Sequence, residues 1–301
     1  MAMDEVTLSL NGQTYTLTKD TSTGKWKATQ SAPTKSSYSQ PGHKYPMVLK
    51  AKDQAGNVTT IDQNNSQFGD EMLLAVKEKV PPTIALSSPG AGAYLTDNSV
   101  AINFDITDND SGVNPDSISL QIDSGSLITT GLTKSQITGG YHCTYNATLA
   151  DGEHTIKINA KDNDGNAATQ RTSSFTVDTV PPELDVPTPP ANLVTNKANG
   201  TVSGVTNDAT SAPVTVQIKL NNVDQGAVSV GADGAFSKAV TYTEGANEVY
   251  VKATDKAGKY SEVTINVTYD PNAPIVYSVE ISPNPVDAGQ PFTITAEIED
   301  E

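Results

Sequence analysis

The sequence predicts an all-β chain assembled from tandem modules, and three observations carry that reading. The first is a hairpin frame written three times, as Ala51-Lys-Asp53-Gln-Ala-Gly56-Asn57, Ala160-Lys-Asp162-Asn-Asp-Gly165-Asn166 and Ala253-Thr-Asp255-Lys-Ala-Gly258-Lys259. Each copy follows an alternating apolar run, from Met47, Thr155 and Val249 respectively. An alternating strand, an Asp that caps a turn, a flexible Gly and a polar return make a β-hairpin. The second is punctuation: Val80-Pro81-Pro82 and Val180-Pro181-Pro182 stand 100 residues apart, and Asp270-Pro271-Asn-Ala-Pro274 follows about one module later. Proline fixes φ and donates nothing to a sheet, so these are short, semi-rigid linkers. The third is usage: Thr, Val, Ile, Gly, Asn and Asp dominate, with strand runs every ~8–12 residues and no helical period of useful length. Modules of ~95 residues are large enough to bury their own cores.

Taken in order, residues 1–80 form an N-terminal module that opens at the strand Glu5-Val-Thr-Leu-Ser-Leu10 and lacks its first two strands. Trp26, two residues after Gly24, starts a strand, and Ser31–Gly42 is an insertion. Asp70–Lys77 reads as a closing strand or a short helical turn. The second module, residues 83–179, begins with strands at Thr83–Ser88 and Ser99–Asp108, followed by one at Asp116–Ile122. The third spans residues 183–270. Residues 275–301 repeat only the opening pair: Phe292, Ile294, Ala296, Ile298 and Asp300 align without a gap on Val100, Ile102, Phe104, Ile106 and Asp108. Gly24, Gly139 and Gly234 each stand two residues before an aromatic, so Trp26, Tyr141 and Phe236 are the expected core plugs. Tyr45, His154 and Asn247, eight residues before each hairpin Asp, are expected to bond neighbouring backbone.

The chain carries 35 acids against 19 bases, a net charge of −16. That leaves no basic stripe to neutralise phosphates, so nucleic acid is not an expected partner. The lone Cys143 rules out an internal disulfide framework. In Tyr141-His-Cys143-Thr-Tyr145 it lies on the face of the two tyrosines and reads as a small buried filler. The first 30 residues hold no basic n-region and no apolar h-region, and no run of ~18 apolar residues occurs, so no membrane insertion is expected. Either a signal has been removed or the protein is assembled inside a cell.

The pattern Asp233-Gly-Ala-Phe236, Glu244-Gly-Ala-Asn247 and Ala253-Thr-Asp255-Lys-Ala-Gly258, with Asp162-Asn-Asp-Gly-Asn166 and the Pro-Pro boundaries, resembles the bacterial immunoglobulin-like repeat family. It is clearest in 183–270, good in 83–179 and looser in 1–80. The resemblance implies Greek-key β-sandwiches of about seven strands, and the short Pro-Pro linkers lead us to expect them end to end as an elongated rod. Asn11-Gly12, Gly42-His-Lys-Tyr-Pro46 and the run of modules are also similar to immunoglobulin-like proteins of phages and prophages of gut Firmicutes.

Little catalytic chemistry is written in this sequence. The histidines His43, His142 and His154 sit at non-equivalent places, with no His-x-x-x-His or Cys-x-x-Cys. The metal candidate is calcium at Asp108, Asp110 and Asp116, whose alternating oxygens resemble a calcium loop, although Ser119 stands where the bidentate Glu belongs. Asp162-Asn-Asp164-Gly165-Asn166 is a second, weaker one. Because Asp and Asn also dominate ordinary turns, the fold is expected to stand without any cofactor. Tyr38 and Tyr45 are the freer aromatics for a host-surface glycan.

The expected function is therefore that of a non-enzymatic structural or interaction protein of a phage tail or related particle, assembled in a host cytoplasm and located in the virion. Its partners would be other tail proteins, or copies of itself joined through the C-terminal strand pair by strand addition. The alternative is a fragment of a secreted bacterial cell-surface adhesin, or an accessory spacer of a secreted carbohydrate-active enzyme.

Overall fold

The structure, a computed structural model, describes residues 2–300. The chain is all-β and consists of tandem immunoglobulin-like sandwiches. It divides into two compact units, residues 1–93, 99–149 and 153–175 in one, and 94–98, 150–152 and 176–301 in the other.

The first unit opens with β1 (Met3–Leu10), β2 (Gln13–Thr16), β3 (Thr18–Lys19), β4 (Trp26–Lys27), β5 (Tyr45–Asp53), β6 (Val58–Ile61) and β7 (Leu73–Leu74). One sheet runs β2-β1-β5-β6, with β7 on the other end of β5, and β3 pairs β4 apart from it. Asn11 and Gly12 take positive φ, as the two-residue hairpin between β1 and β2 requires. Asp70–Lys77 resolves into a single 3-10 turn and the two residues of β7. Among the described residues, 2–80 bury only Val6, Leu10 and Tyr45 as apolar core. Trp26 is not the plug of this module: it is half-buried on a two-residue strand, too short to carry it under a sheet. The plug is Tyr45 at the start of β5, 4% exposed, whose hydroxyl donates to the Lys35 and Ser36 carbonyls at 3.3 Å.

The unit continues with β8 (Thr83–Ser88), then β9 (Tyr94–Leu95), which belongs to the other unit, and β10 (Ser99–Thr107), β11 (Val113–Ile122), β12 (Thr133–Ile137), β13 (Gly140–Thr148), β14 (Gly152–Asp162) and β15 (Arg171–Val177). The order β12-β13-β10-β8 makes one sheet, and β11 and β14 belong to a second. Alternation on β10 turns Val100, Ile102, Phe104 and Ile106 inward, and Ile118, Leu120, Ile156, Ile158 and Phe175 are likewise buried. Phe104 and Phe175 fill this core, whereas the expected plug Tyr141 is half-buried where β13 begins. Cys143 pairs with Phe104 across the sheet and is fully buried. Burial pushes its thiol up to about 11, with Lys134 opposing. We expect no labelling of Cys143 by a thiol reagent at pH 8 in the folded protein, because the thiolate is the nucleophile. Stoichiometric labelling before denaturation would refute that.

In the second unit, Thr176 and Val177 pair in parallel with β9. Then come β16 (Glu183–Thr188), β17 (Leu193–Thr195), β18 (Asn199–Asn207), β19 (Thr215–Leu220), β20 (Val223–Asp224), β21 (Ala235–Thr241), β22 (Gly245–Thr254) and β23 (Tyr260–Tyr269). Two sheets, β16-β18-β21 and β17-β23-β22-β19-β20, form the sandwich. The chain changes sheet between β18 and β19 and again between β21 and β22, which is Greek-key topology. Phe236 is buried among Val202, Val216, Ile218, Val249, Val251 and Val267. Asn247 is 3% exposed and closes its own loop: Thr243 N–H donates to its Oδ1 at 2.9 Å and its Nδ2 donates to the Thr243 carbonyl at 2.7 Å. His154 departs from that pattern and bonds the Asp123 carboxylate at 2.9 Å. Last, β24 (Ile275–Ser282) and β25 (Thr293–Glu299) form a two-stranded sheet on which Tyr277, Val279, Ile281, Ile294 and Ile298 are exposed, with Phe292 exposed just before β25.

Candidate functional site

The three hairpin aspartates build their own turns. Asp53 Oδ1 accepts the N–H groups of Ala55 and Asn57, each at 2.9 Å. Asp162 Oδ1 accepts that of Asn166 at 2.8 Å, and Asp255 Oδ1 that of Lys259 at 2.9 Å. These bonds satisfy backbone donors that the tight turn leaves unpaired.

At two of the three turns, tertiary structure adds two further carboxylates. In the first unit Glu78, Asp108 and Asp162 each place one oxygen within 4.8 Å of the others. Glu78 lies just before Pro81-Pro82 and accepts the Val80 N–H in its own short turn. Asp108 follows β10, and its Oδ1 accepts the N–H groups of Asp110 (3.0 Å) and Gly112 (2.7 Å). Ser111 Oγ donates to Glu78 Oε1 at 3.2 Å. Burial pushes the Glu78 carboxyl up, and the neighbouring Asp162 and Asp108 push it further, against the Val80 N–H. Asp162 is held low although burial opposes it, because it accepts from the Asn166 side chain and backbone and faces Glu78.

The second unit repeats the arrangement with Asp178, Asp208 and Asp255, again with oxygens within 4.8 Å. Asp178 Oδ1 accepts the Val180 N–H at 3.2 Å, just before Pro181-Pro182. Asp208 Oδ1 accepts the N–H groups of Thr210 (2.8 Å) and Ser211 (2.6 Å). Ser211 Oγ donates to Asp178 Oδ2. The three residues are 1%, 9% and 6% exposed, and the buried Asp255 Oδ2 has no hydrogen-bond partner.

The sequence-proposed calcium set is not brought together in either cluster. Asp108 enters one, but Asp110 Oδ1 accepts the Ser36 N–H at 2.9 Å and its Oδ2 faces Lys35 at 4.0 Å. Asp116 is exposed on β11, because the chain extends into that strand directly after Gly112. Asp162 of the second candidate enters the same cluster as Asp108, while Asp164 Oδ2 accepts the Glu78 N–H at 3.0 Å. Sequence reasoning missed Glu78, Asp178 and Asp208. The available signal was the 100-residue repeat of Glu78/Asp178 and Asp108/Asp208 about the Pro-Pro boundaries.

The other candidates resolve into structural roles. Of the freer aromatics, Tyr45 is the buried plug, and Tyr38 stacks on His43 with centroids 4.1 Å apart. His142 Nδ1 meets Asp105 Oδ1 at 2.6 Å across the β10/β13 pairing, and Thr144 Oγ1 is 3.4 Å from its Nε2. That line of base and orienter lacks a nucleophile, since the Thr144 hydroxyl donates to Asn103 Oδ1 at 2.9 Å.

Comparison with known proteins agrees with the fold. Residues 82–158 match the bacterial Ig domain family, and residues 182–270 match the family described as glucodextranase, domain B. Bacillopeptidase F of Bacillus subtilis (strain 168) is 30% identical over 142 residues, which is 46% of this chain and 9% of that protein. Among solved structures, the Sidekick-1 immunoglobulin domains 1–4 are 12% identical, with a TM-score of 0.39 over 88% of this chain and 67% of theirs. The fibronectin(III)-like modules of Clostridium thermocellum CbhA are 16% identical, with a TM-score of 0.38 over 62% of this chain and 94% of theirs. The chain is thus a tandem immunoglobulin-like protein with a structural or interaction role.

Proposed function

We propose that this chain is a non-catalytic spacer whose sandwiches carry or present a partner domain outside the bacterial cell, in a surface adhesin or a secreted enzyme. The observation that supports this most is the pair of adjacent family matches, bacterial Ig domain followed by glucodextranase domain B, over 82–158 and 182–270. The segment shared with Bacillopeptidase F is 9% of that protein, which is consistent with an accessory place in a long chain. The fold supplies rigidity and loops, and a site has to be added to it for any chemistry.

A particle protein, such as a phage-tail component, is the second reading. One feature favours it: the β24–β25 hairpin presents exposed Tyr277, Val279, Ile281 and Ile294 on strands that, among the described residues, each keep an unpaired edge. Such edges suit assembly by strand addition, to a copy of this chain or to another tail protein.

The genomic surroundings separate the two settings. A catalytic or anchoring domain in the same reading frame is the expected result, whereas tail-tube and baseplate genes on both sides would favour the particle. Casein and dextran should both remain intact with the purified chain, and turnover of either above blank would overturn the non-catalytic reading.

A further inference from the structure

We propose that Asp178, Asp208 and Asp255, and equally Glu78, Asp108 and Asp162, form two equivalent calcium sites. Each would pin a Pro-Pro segment to the module that follows it.

The second triad carries the argument. Three carboxylates converge within 4.8 Å while almost fully buried, and one of them, Asp255, keeps a buried Oδ2 with no hydrogen-bond donor. Burying like charges together is unfavourable unless a cation or protons compensate them. An acceptor left unsatisfied in a buried site is destabilising, so a stable fold is expected to fill that place.

The first triad shares most of this frame, but there the Asn166 amide donates to Asp162 Oδ2 at 2.7 Å, a place that Lys259 leaves open beside Asp255. Glu78 and Asp178 each accept the N–H two residues on, and each receives a serine hydroxyl, from Ser111 or Ser211. Asp108 and Asp208 each fold a turn that brings that serine in. Asn163 and Lys256, one past each hairpin Asp, donate N–H to the carbonyls of Gly112 and Ser211. Two sites with the same acid, serine and turn partners and a spacing of 30 residues between their first two acids are a built feature of the repeat. Asp270 and Asp300 write the same interval a third time, and Asp270 Oδ1 accepts the Asn272 N–H at 2.9 Å.

The donor chemistry selects the ion. The ligating groups of both clusters are carboxylates, with no imidazole or thiolate among them to favour zinc or copper. Calcium accepts 6–8 such oxygens in loose geometry and completes its shell with water, whereas magnesium demands a near-ideal octahedron.

The test uses the full chain, stripped with EDTA and titrated with calcium chloride in a calorimeter. Two ions per chain are expected, with Kd in the ~10⁻⁶–10⁻³ M range of sensor and extracellular calcium sites. The calcium-loaded form should melt higher than the stripped form, because the ion binds the folded state. Asp255→Asn and Asp162→Asn each keep an Oδ1 for the turn and should each remove one of the two ions. Absence of both heat and a melting shift at about 10 mM calcium, beyond that affinity range, would overturn the proposal. Undiminished binding in both variants would overturn it too, as would stabilisation by mild acid without any response to calcium. An equal response to magnesium would overturn the identity of the ion. The wild-type stoichiometry decides the matter even where a variant fails to fold.

Discussion

Replacing Phe236 with alanine is expected to destabilise residues 183–270 by about 3–5 kcal/mol, the range for deleting a buried aromatic. Phe236 is 4% exposed, and its ring lies over Gly204, its partner across β18 and β21. A Cβ at position 204 would stand 2.8 Å from the ring, so the aromatic occupies the space that this glycine leaves free. Neither neighbour can collapse into the hole without moving a strand, which places the cost towards the upper part of the range. Urea unfolding followed by far-ultraviolet circular dichroism measures it. The fluorescence transition of Trp26, the sole tryptophan, should stay where it is, since modules of a repeat chain unfold as local units. A loss below ~1 kcal/mol, typical of half-exposed positions, or a parallel shift of the Trp26 transition, would contradict this. Trp26→Ala and Tyr141→Ala should cost less, because both rings are only half-buried.

Gly234→Ala should cost a comparable amount through the backbone. Gly234 has φ +80°, and an added Cβ would lie 2.0 Å from the Thr206 carbonyl oxygen. The left-handed conformation alone costs roughly 1–2 kcal/mol for a residue with a Cβ. The clash adds an overpacking cost of about 1–3 kcal/mol, and no flexible side chain is present to yield. The neighbouring hydrogen bond, Thr206 N–H to the Gly234 carbonyl at 2.9 Å, would be lost as the turn moves. A Gly226→Ala control, also at positive φ (+77°) but with only the tip of Lys238 near, should show the conformational part alone. Equal losses in the two variants would show that the close approach at Gly234 contributes nothing.

Local sequence fixed the parts of this protein that depend on neighbours in the chain. Period-2 alternation located β8 at Thr83–Ser88 and β10 at Ser99–Thr107, and the repeated Asp-to-Gly frame located three hairpin turns. Both depend on interactions spanning a few residues, and Cys143 was legible as filler for the same reason. Alternation says which residues share a face. It does not say how deeply that face is covered, which is why Tyr141 and Trp26 looked like plugs when Tyr45, Phe104 and Phe175 fill that role.

The acidic clusters show the same division more sharply. Asp108, Asp110 and Asp116 are close in sequence and suggested a loop, but β11 straightens at Val113 and carries Asp116 away. Glu78, Asp108 and Asp162 come from a linker, the end of one strand and a hairpin turn in another sheet. Only the register of the sandwich decides that their oxygens meet. A sequence determines by itself what its short-range hydrogen bonds and side-chain period dictate, which here means strands and turns. Tertiary structure alone decided which aromatics are covered and which carboxylates are forced together, because both depend on packing between segments that the chain order keeps far apart.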